Sequence, residues 1–345
     1  MISSVVFKKG SLYYLDQTKL PSEKIWRKCN SLGEAYSAIC NLKIRGAPLI
    51  GVFAAYAVWI GIRKIPENIS KDKFLKYTQK VMEYLKSSRP TAVNLFFSLE
   101  RIEKVLRENK EKSVKKLKEL VLKEAKRIHN EDKKMCERIA HLGISLIKKG
   151  DRILTYCNTG ILATAGEGTA LGIIYKAKRV YKDIKVFACE TRPLLQGARL
   201  TCWELLERRI KVTLICDNMV GYLMQKGMID EVIVGADRIT RCGDVANKIG
   251  TYNLAVLAFH HKIPFYVAAP LSSFDLRLDK GEKIPIEERD EKEVRTISGR
   301  IIAPYNVAVF NPAFDITPSR FITAIITDKG IIRPPFEENI KKLYE

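Results

Sequence analysis

Two side chains able to carry proton or nucleophilic chemistry stand directly behind short apolar runs. Cys157 follows the run 152–156 and opens Cys157-Asn158-Thr159-Gly160; Asp237 follows the run 231–234 in Gly235-Ala236-Asp237-Arg238. An acid behind a buried strand sits at low dielectric, which favours its protonated form and suits it to general acid or base work. The same position also fits a helix N-cap or an ion pair with Arg238. A thiol beside a helix N-terminus and cations is activated by a lowered pKa, although a cysteine there also fits a small buried hydrophobe. The Gly- and Thr-rich stretch after Cys157, through Gly166-Glu167-Gly168-Thr169, leads toward a helix start and leaves N–H groups placed to receive a phosphate. Asn247 and Lys248, where a loop meets a helix start, form an amide and cation pair suited to a sugar phosphate. Nearer the N-terminus, Arg45-Gly46-Ala47-Pro48 combines a bidentate cation, a glycine that lets backbone approach a ligand, and a proline suited to a first helical turn. Arg89-Pro90-Thr91-Ala92-Val93-Asn94 repeats that logic.

The elements that must hold these residues follow from periodicity. The first part, residues 1–130, reads as a short β start (Val5 to Phe7, then Leu12 to Leu15) followed by helices. An amphipathic helix is expected over 31–42, and 48–63 is apolar on nearly every face, as an enclosed helix would be. The charged stretch 101–149 supplies one or two long helices. From Asp151 the texture becomes that of a parallel sheet, with apolar runs at 152–156, 186–189, 212–216, 231–234, 265–268 and 307–310, most separated by room for a crossover helix. The expected fold is therefore α/β, a small N-terminal domain (1–130) beside a Rossmann-like domain (131–345) with flanking helices. Ligands bind such sheets beyond the carboxyl ends of the strands, where Cys157 and Asp237 fall.

Several function classes are excluded or disfavoured. The dinucleotide pattern GxGxxG is not met, because Gly166, Gly168 and Gly172 are misspaced and start about ten residues past the strand. The eight cysteines contain no CxxC, and the adjacent His260 and His261 diverge by about 100° on a helix, so no metal site is expected. The apolar stretches 47–60 and 301–309 fall short of the roughly 20 residues that span a bilayer, and no secretory leader is evident, so a cytoplasmic protein with reduced thiols and no membrane partner is expected. The net charge of +21 invites a nucleic-acid reading, but much of the excess alternates with Glu at helical spacing over 101–149, with no interleaved aromatic platform. That pattern describes solvated helix faces and argues against a nucleic-acid partner.

Taken together, nine segments in order resemble the methylthioribose-1-phosphate isomerase family over nearly the whole chain. They are Leu15-Asp16-Gln17-Thr18-Lys19-Leu20-Pro21, Arg45-Gly46-Ala47-Pro48, the 89–94 segment, Cys157-Asn158-Thr159-Gly160, Glu190-Thr191-Arg192-Pro193, Gly235-Ala236-Asp237-Arg238, Asn247-Lys248-Ile249-Gly250-Thr251, 284–289 and 311–318. The wider superfamily includes ribose-1,5-bisphosphate isomerases and regulatory subunits of a translation-initiation exchange factor. The resemblance implies an aldose–ketose isomerase that turns 5-methylthioribose 1-phosphate into its ribulose isomer in methionine salvage, acting as a homodimer with neither metal nor nucleotide cofactor. It implies Asp237 and Cys157 as catalytic residues, and Arg45, Gly46, Ala47, Arg89, Gln196, Asn247 and Lys248 as substrate contacts. Two departures are Tyr156, where histidine is more usual, and Leu49, where a smaller residue is frequent. A sister isomerase acting on ribose-1,5-bisphosphate or 5-deoxyribose-1-phosphate would share the catalytic residues. A regulatory relative would be under no chemical requirement to keep both Cys157 and Asp237.

Overall fold

The computed structural model describes residues 3–89 and 92–344 of the chain, so Pro90 and Thr91 of the second arginine motif lie outside the described residues. The chain divides into two units, one of residues 1–137 and 161–168, the other of 138–160 and 169–345. Residue 130, where the sequence reading divides the chain, falls inside a single helix, residues 114–143.

Unit 1 begins with an antiparallel sheet of β1 (Val5–Lys8), β2 (Ser11–Leu15) and β3 (Trp26–Cys29). The third strand shows no apolar alternation and was not legible in the sequence. Five helices follow: α1 (Leu32–Cys40), α2 (Ala47–Ile62), α3 (Lys71–Lys86), α4 (Val93–Glu108) and α5 (Val114–Gly143), whose residues up to Glu137 belong to this unit. Ser31 caps α1 and Ser70 caps α3 through their side chains, each accepting an N–H three residues on. Helix α2 buries Phe53, Tyr56, Val58 and most of its other residues, forming the centre of this unit's core. Burial at about 2 kcal/mol per large side chain makes α2 the element on which the others assemble.

Unit 2 is the doubly wound sheet. Its elements are β4 (Arg152–Thr155), α6 (Ala170–Val180), β5 (Lys185–Cys189), α7 (Cys202–Glu207), β6 (Val212–Ile215), α8 (Val220–Gln225), β7 (Glu231–Val234), β8 (Arg238–Thr240), β9 (Val245–Lys248), α9 (Thr251–His260), β10 (Phe265–Ala268) and β11 (Phe274–Asp275). Then come α10 (Lys292–Arg295), β12 (Thr296–Ile297), β13 (Arg300–Ile301), β14 (Phe314–Thr317), β15 (Ala324–Ile326), β16 (Ile331–Ile332) and α11 (Phe336–Lys342). The main sheet runs β16-β15-β10-β7-β4-β5-β6, parallel except for β16. Five of the six expected strands are present.

The sixth, the run 307–310, is not a strand: Phe310 is 78% exposed, and β15 takes its place beside β10. An apolar run supplies only the tendency to extend. The strand forms where parallel pairing and burial on both faces are available, and Ala324, Ile325 and Ile326 are fully buried. A second, smaller sheet, β11-β8-β9-β14, has no counterpart in the sequence reading.

Candidate active site at the carboxyl edge of the unit 2 sheet

Strands β4 and β7 are parallel neighbours, with Thr155 opposite Ile233, so the chain leaves the same edge of the sheet at Cys157 and at Asp237. Sequence spacing proposed two strand ends; the pairing makes them adjacent.

Cys157 is buried and held in the left-handed region at φ 58°, a conformation that costs a non-glycine residue about 1 to 3 kcal/mol and needs neighbours to enforce it. Its N–H donates to Thr191 Oγ1 at 2.9 Å, and its carbonyl accepts from Thr201 Oγ1 at 2.5 Å. Thr191, itself at φ 66°, donates its N–H to Asp217 at 2.8 Å, and Arg192 donates to the other carboxylate oxygen at 2.7 Å. Burial nevertheless pushes the Asp217 carboxyl above its ordinary range, with those N–H groups pulling it back. The next turn residue, Asn158, donates to Glu204 at 2.8 Å, and Tyr175 donates to the second Glu204 oxygen at 2.7 Å. Glu204 is fully buried in α7. Sequence reasoning missed Thr191, Thr201 and Glu204 as supports of the cysteine. Thr191 and Asp217 each follow a strand end, the position where ligand-site residues are sought, but no local signal marks Thr201 or Glu204.

Asp237 is half-buried and precedes strand β8, not a helix, so the N-cap reading is corrected. Its N–H donates to Ala246 O in β9 at 2.9 Å, which ties it to the strand that ends in Asn247 and Lys248. Arg238 faces Asp275 at 3.8 Å. Asn247 and Lys248 do not lie in a loop, as expected, but at the end of β9, three residues before α9 begins, because residues 245–248 pair with β14 while Val245 and Ala246 also pair with β8. Asn247 donates to Thr251 Oγ1 at 3.0 Å, and Lys248 Nζ donates to Ala313 O at 2.8 Å while lying 4.9 Å from the Phe314 ring centroid. Both are almost fully buried. Beside them, Asp315 accepts the N–H groups of Gly250 at 2.6 Å and Tyr252 at 3.1 Å. Burial pushes its carboxyl up to about 6 against those bonds and the Lys248 charge.

Tyr156 links the two loops. Its hydroxyl donates to Ile249 O at 2.8 Å and packs so closely on Gly250, at φ 103°, that an added methyl would lie 2.1 Å from the phenol oxygen. Tyr156 is therefore built into the site's frame. Gln196 lies past the end of β5, 6% exposed, with its Oε1 lacking a hydrogen-bond partner among the described residues. A buried amide oxygen left unsatisfied costs about 1 to 3 kcal/mol unless a ligand donates to it.

The remaining sequence-proposed residues belong to unit 1. Gly46, at φ 89°, caps α2, with Ala47 and Pro48 forming its first turn. Four residues into α2, Gly51 packs on Asn94 O at the start of α4, so the N-termini of these two helices lie side by side. Arg45 precedes one of them and Arg89 the other, both half-buried. Two helix N-termini with two arginines suit an anion, although in the first turn of α2 the Leu49 N–H already donates to Ala163 O at 3.0 Å. Asn94 adds a buried side-chain amide nitrogen with no hydrogen-bond partner among the described residues. A separate cavity of about 520 Å³ in this unit, lined by Phe7, Tyr56, Lys126, His129 and Lys133, contains none of these residues.

No group of three or more His, Cys, Asp and Glu able to hold a metal occurs among the described residues, and all eight cysteines are free thiols. Among the described residues, no helix is long and apolar enough to cross a membrane.

Comparison with known proteins places this geometry in context. A sequence profile described as the initiation factor 2 subunit family matches residues 43–334. A methylthioribose-1-phosphate isomerase of Carboxydothermus hydrogenoformans is 52% identical over 99% of both chains. Among solved structures, 5-methylthioribose 1-phosphate isomerase from Pyrococcus horikoshii superposes with a TM-score of 0.92 at 44% identity, covering 100% of this chain and 96% of that one. A protein from A. fulgidus described as translation initiation factor eIF-2B, subunit delta, gives 0.88 at 46% identity over 99% of each chain.

Proposed function

The chain belongs to the initiation factor 2 subunit family, and from that premise we infer that it is an aldose–ketose isomerase of methionine salvage, converting 5-methylthioribose 1-phosphate into 5-methylthioribulose 1-phosphate. The observation that carries this reading within a family of mixed roles is near-full-length identity to the isomerase, joined to Cys157 and Asp237 ending adjacent parallel strands.

The chemistry explains the residue types. A 1-phosphate blocks the anomeric hydroxyl through which an aldose ordinarily opens, so the ring must open with the phosphate in place. In this proposal Asp237 gives its proton to the ring oxygen as the C1–O bond breaks. Cys157 handles the C2 hydrogen, which ends on C1, and the C2 hydroxyl proton returns to Asp237 as the carbonyl forms. Every atom is conserved and no external oxidant is required. Arg45, Gly46, Ala47 and Arg89 of unit 1 are assigned to the substrate, the two arginines to its phosphate. In unit 2, Lys248 is assigned to the phosphate, and Gln196 and Asn247 to sugar hydroxyls. Positioning of this kind supplies several kcal/mol of a barrier.

A homodimer is supported by the segment around β12 and β13, where Ile301, Tyr305 and Phe310 are each at least 70% exposed within ten residues, apolar side chains that a partner surface would cover. A cytoplasmic setting is supported by eight free thiols. The experiment is turnover followed by NMR with 5-methylthioribose 1-phosphate, beside ribose-1,5-bisphosphate and 5-deoxyribose-1-phosphate. The expected result is ketose from the methylthio substrate, reduced about 10²- to 10⁴-fold in Cys157→Ala and Asp237→Asn with the substrate still bound. Asp237→Asn at wild-type rate would remove the proton-donor role, and no turnover of any substrate would favour a regulatory protein.

A further inference from the structure

Residues 161–168 lie in the chain between Gly160 and Thr169 of unit 2, yet they pack as part of unit 1. Their backbone is gripped from several elements. Ser4 Oγ donates to Ile161 O, and Gln17 Nε2 donates to Leu162 O at 2.7 Å. Leu49 N–H, in the first turn of α2, donates to Ala163 O at 3.0 Å. From α5, Asp132 Oδ2 accepts Ala165 N–H at 2.6 Å, and the same carboxylate accepts Gly166 N–H. Gly46 lies so close to this segment that a methyl on it would stand 2.4 Å from Ala163 Cα. The place of Ala163 therefore sets the place of the Arg45-Gly46-Ala47 turn, and Asp132 holds the two residues that adjoin Ala163 and Thr164 on their C-terminal side.

We propose that Asp132 is a positioning residue for substrate binding: by holding Ala165 and Gly166 it fixes segment 161–168 against the turn that carries Arg45, Gly46 and Ala47. The proposal rests on the reading of those three residues as substrate contacts. A carboxylate is an expensive way to tie down a loop. Asp132 is 9% exposed, and desolvation pushes its carboxyl up to about 7, with the Ala165 and Gly166 N–H groups and Lys133 drawing it only partly back. An amide would be cheaper to bury, but its single oxygen would have to serve both N–H groups while its NH2 brings two donors that need buried acceptors of their own. The carboxylate brings acceptors alone, so both N–H groups are met without a new donor to satisfy. Because the turn holds substrate and transition state alike, loosening it acts on KM and leaves kcat in place.

The test is Asp132→Asn compared with the full-length wild type, by steady-state turnover of 5-methylthioribose 1-phosphate, thermal midpoint, and hydrogen exchange at the Leu49 amide. The expected result is a midpoint within about 3 °C of wild type, KM raised about tenfold or more with kcat within about twofold, and faster exchange at Leu49. Wild-type KM, or unaltered exchange at Leu49, overturns the proposal. A fall in midpoint above about 10 °C with kcat lost alongside KM also overturns it, by assigning Asp132 to general stability. If the wild type turns over no sugar phosphate, the isomerase reading is what has failed, and exchange at Leu49 still decides whether Asp132 sets the turn.

Discussion

Glu231 opens β7 at the amino edge of the sheet, while Asp237 follows three residues past the other end of that strand; Glu231 is 3% exposed, with one carboxylate oxygen lacking a hydrogen-bond partner among the described residues. Burial, reinforced by the neighbouring Asp151 and Asp230 charges and offset only by Lys148, pushes its carboxyl from the ordinary 4.5 up to about 8. The folded protein thus binds this proton more tightly than the unfolded chain. Between pH 4.5 and about 8 the native state holds more protons than the unfolded state, so this group's contribution to stability falls as pH rises through that window. At about 1.4 kcal/mol per pH unit the full interval corresponds to a cost of about 5 kcal/mol above pH 8, and relaxation with water entry brings a working value nearer about 2 to 3. Glu231→Gln removes the titration while keeping the shape. In thermal unfolding at pH 5 and pH 9, the variant should gain on wild type at pH 9 by about 4 to 10 °C relative to the difference at pH 5. Its turnover at pH 7 should match wild type, since the substitution lies at the edge of the sheet away from Cys157 and Asp237. An equal difference at both pH values would refute the argument from burial and charge.

Two further perturbations address the site. Thr191→Val removes the acceptor of the Cys157 N–H, leaves a buried donor unsatisfied at about 1 to 3 kcal/mol, and releases the residue from its left-handed conformation; kcat should fall at least about tenfold with KM little changed, read by steady-state kinetics at saturating substrate. Gly250→Ala puts a methyl 2.1 Å from the Tyr156 hydroxyl at a φ of 103°, so the Asn247-Lys248 strand end must shift; the expected outcome is a KM rise of about tenfold or more, partly restored by Tyr156→Phe in the same chain, as measured in a double-mutant cycle.

Much of the fold is legible because local patterns report local requirements. An apolar face at helical period predicts α1, and apolar composition all round predicts α2, because those patterns express burial directly. Five parallel strands announce themselves as Val- and Ile-rich runs, and the rule that ligands bind past their carboxyl ends brings Cys157 and Asp237 to notice without coordinates. Arg45, Gly46, Arg89, Asn247 and Lys248 stand out by residue type and position, whereas the substrate-contact role of Gln196 came only from the resemblance.

What only the tertiary structure decided concerns partners far apart in the chain. That β15 and not residues 307–310 extends the sheet depends on which segment finds β10 beside it. That Lys248 ends a strand depends on pairing with Phe314, 66 residues on. That Cys157 is held in a strained conformation depends on Thr191 and Thr201, and that residues 161–168 join unit 1 depends on Asp132, Gln17 and Leu49. The sequence by itself determines which side chains are chemically able and which stretches must be buried, since those are properties of each residue and its near neighbours. Which carboxylate meets which N–H is a property of the closed chain, because a hydrogen bond needs its partners within about 3 Å and spacing along the chain says nothing about that distance.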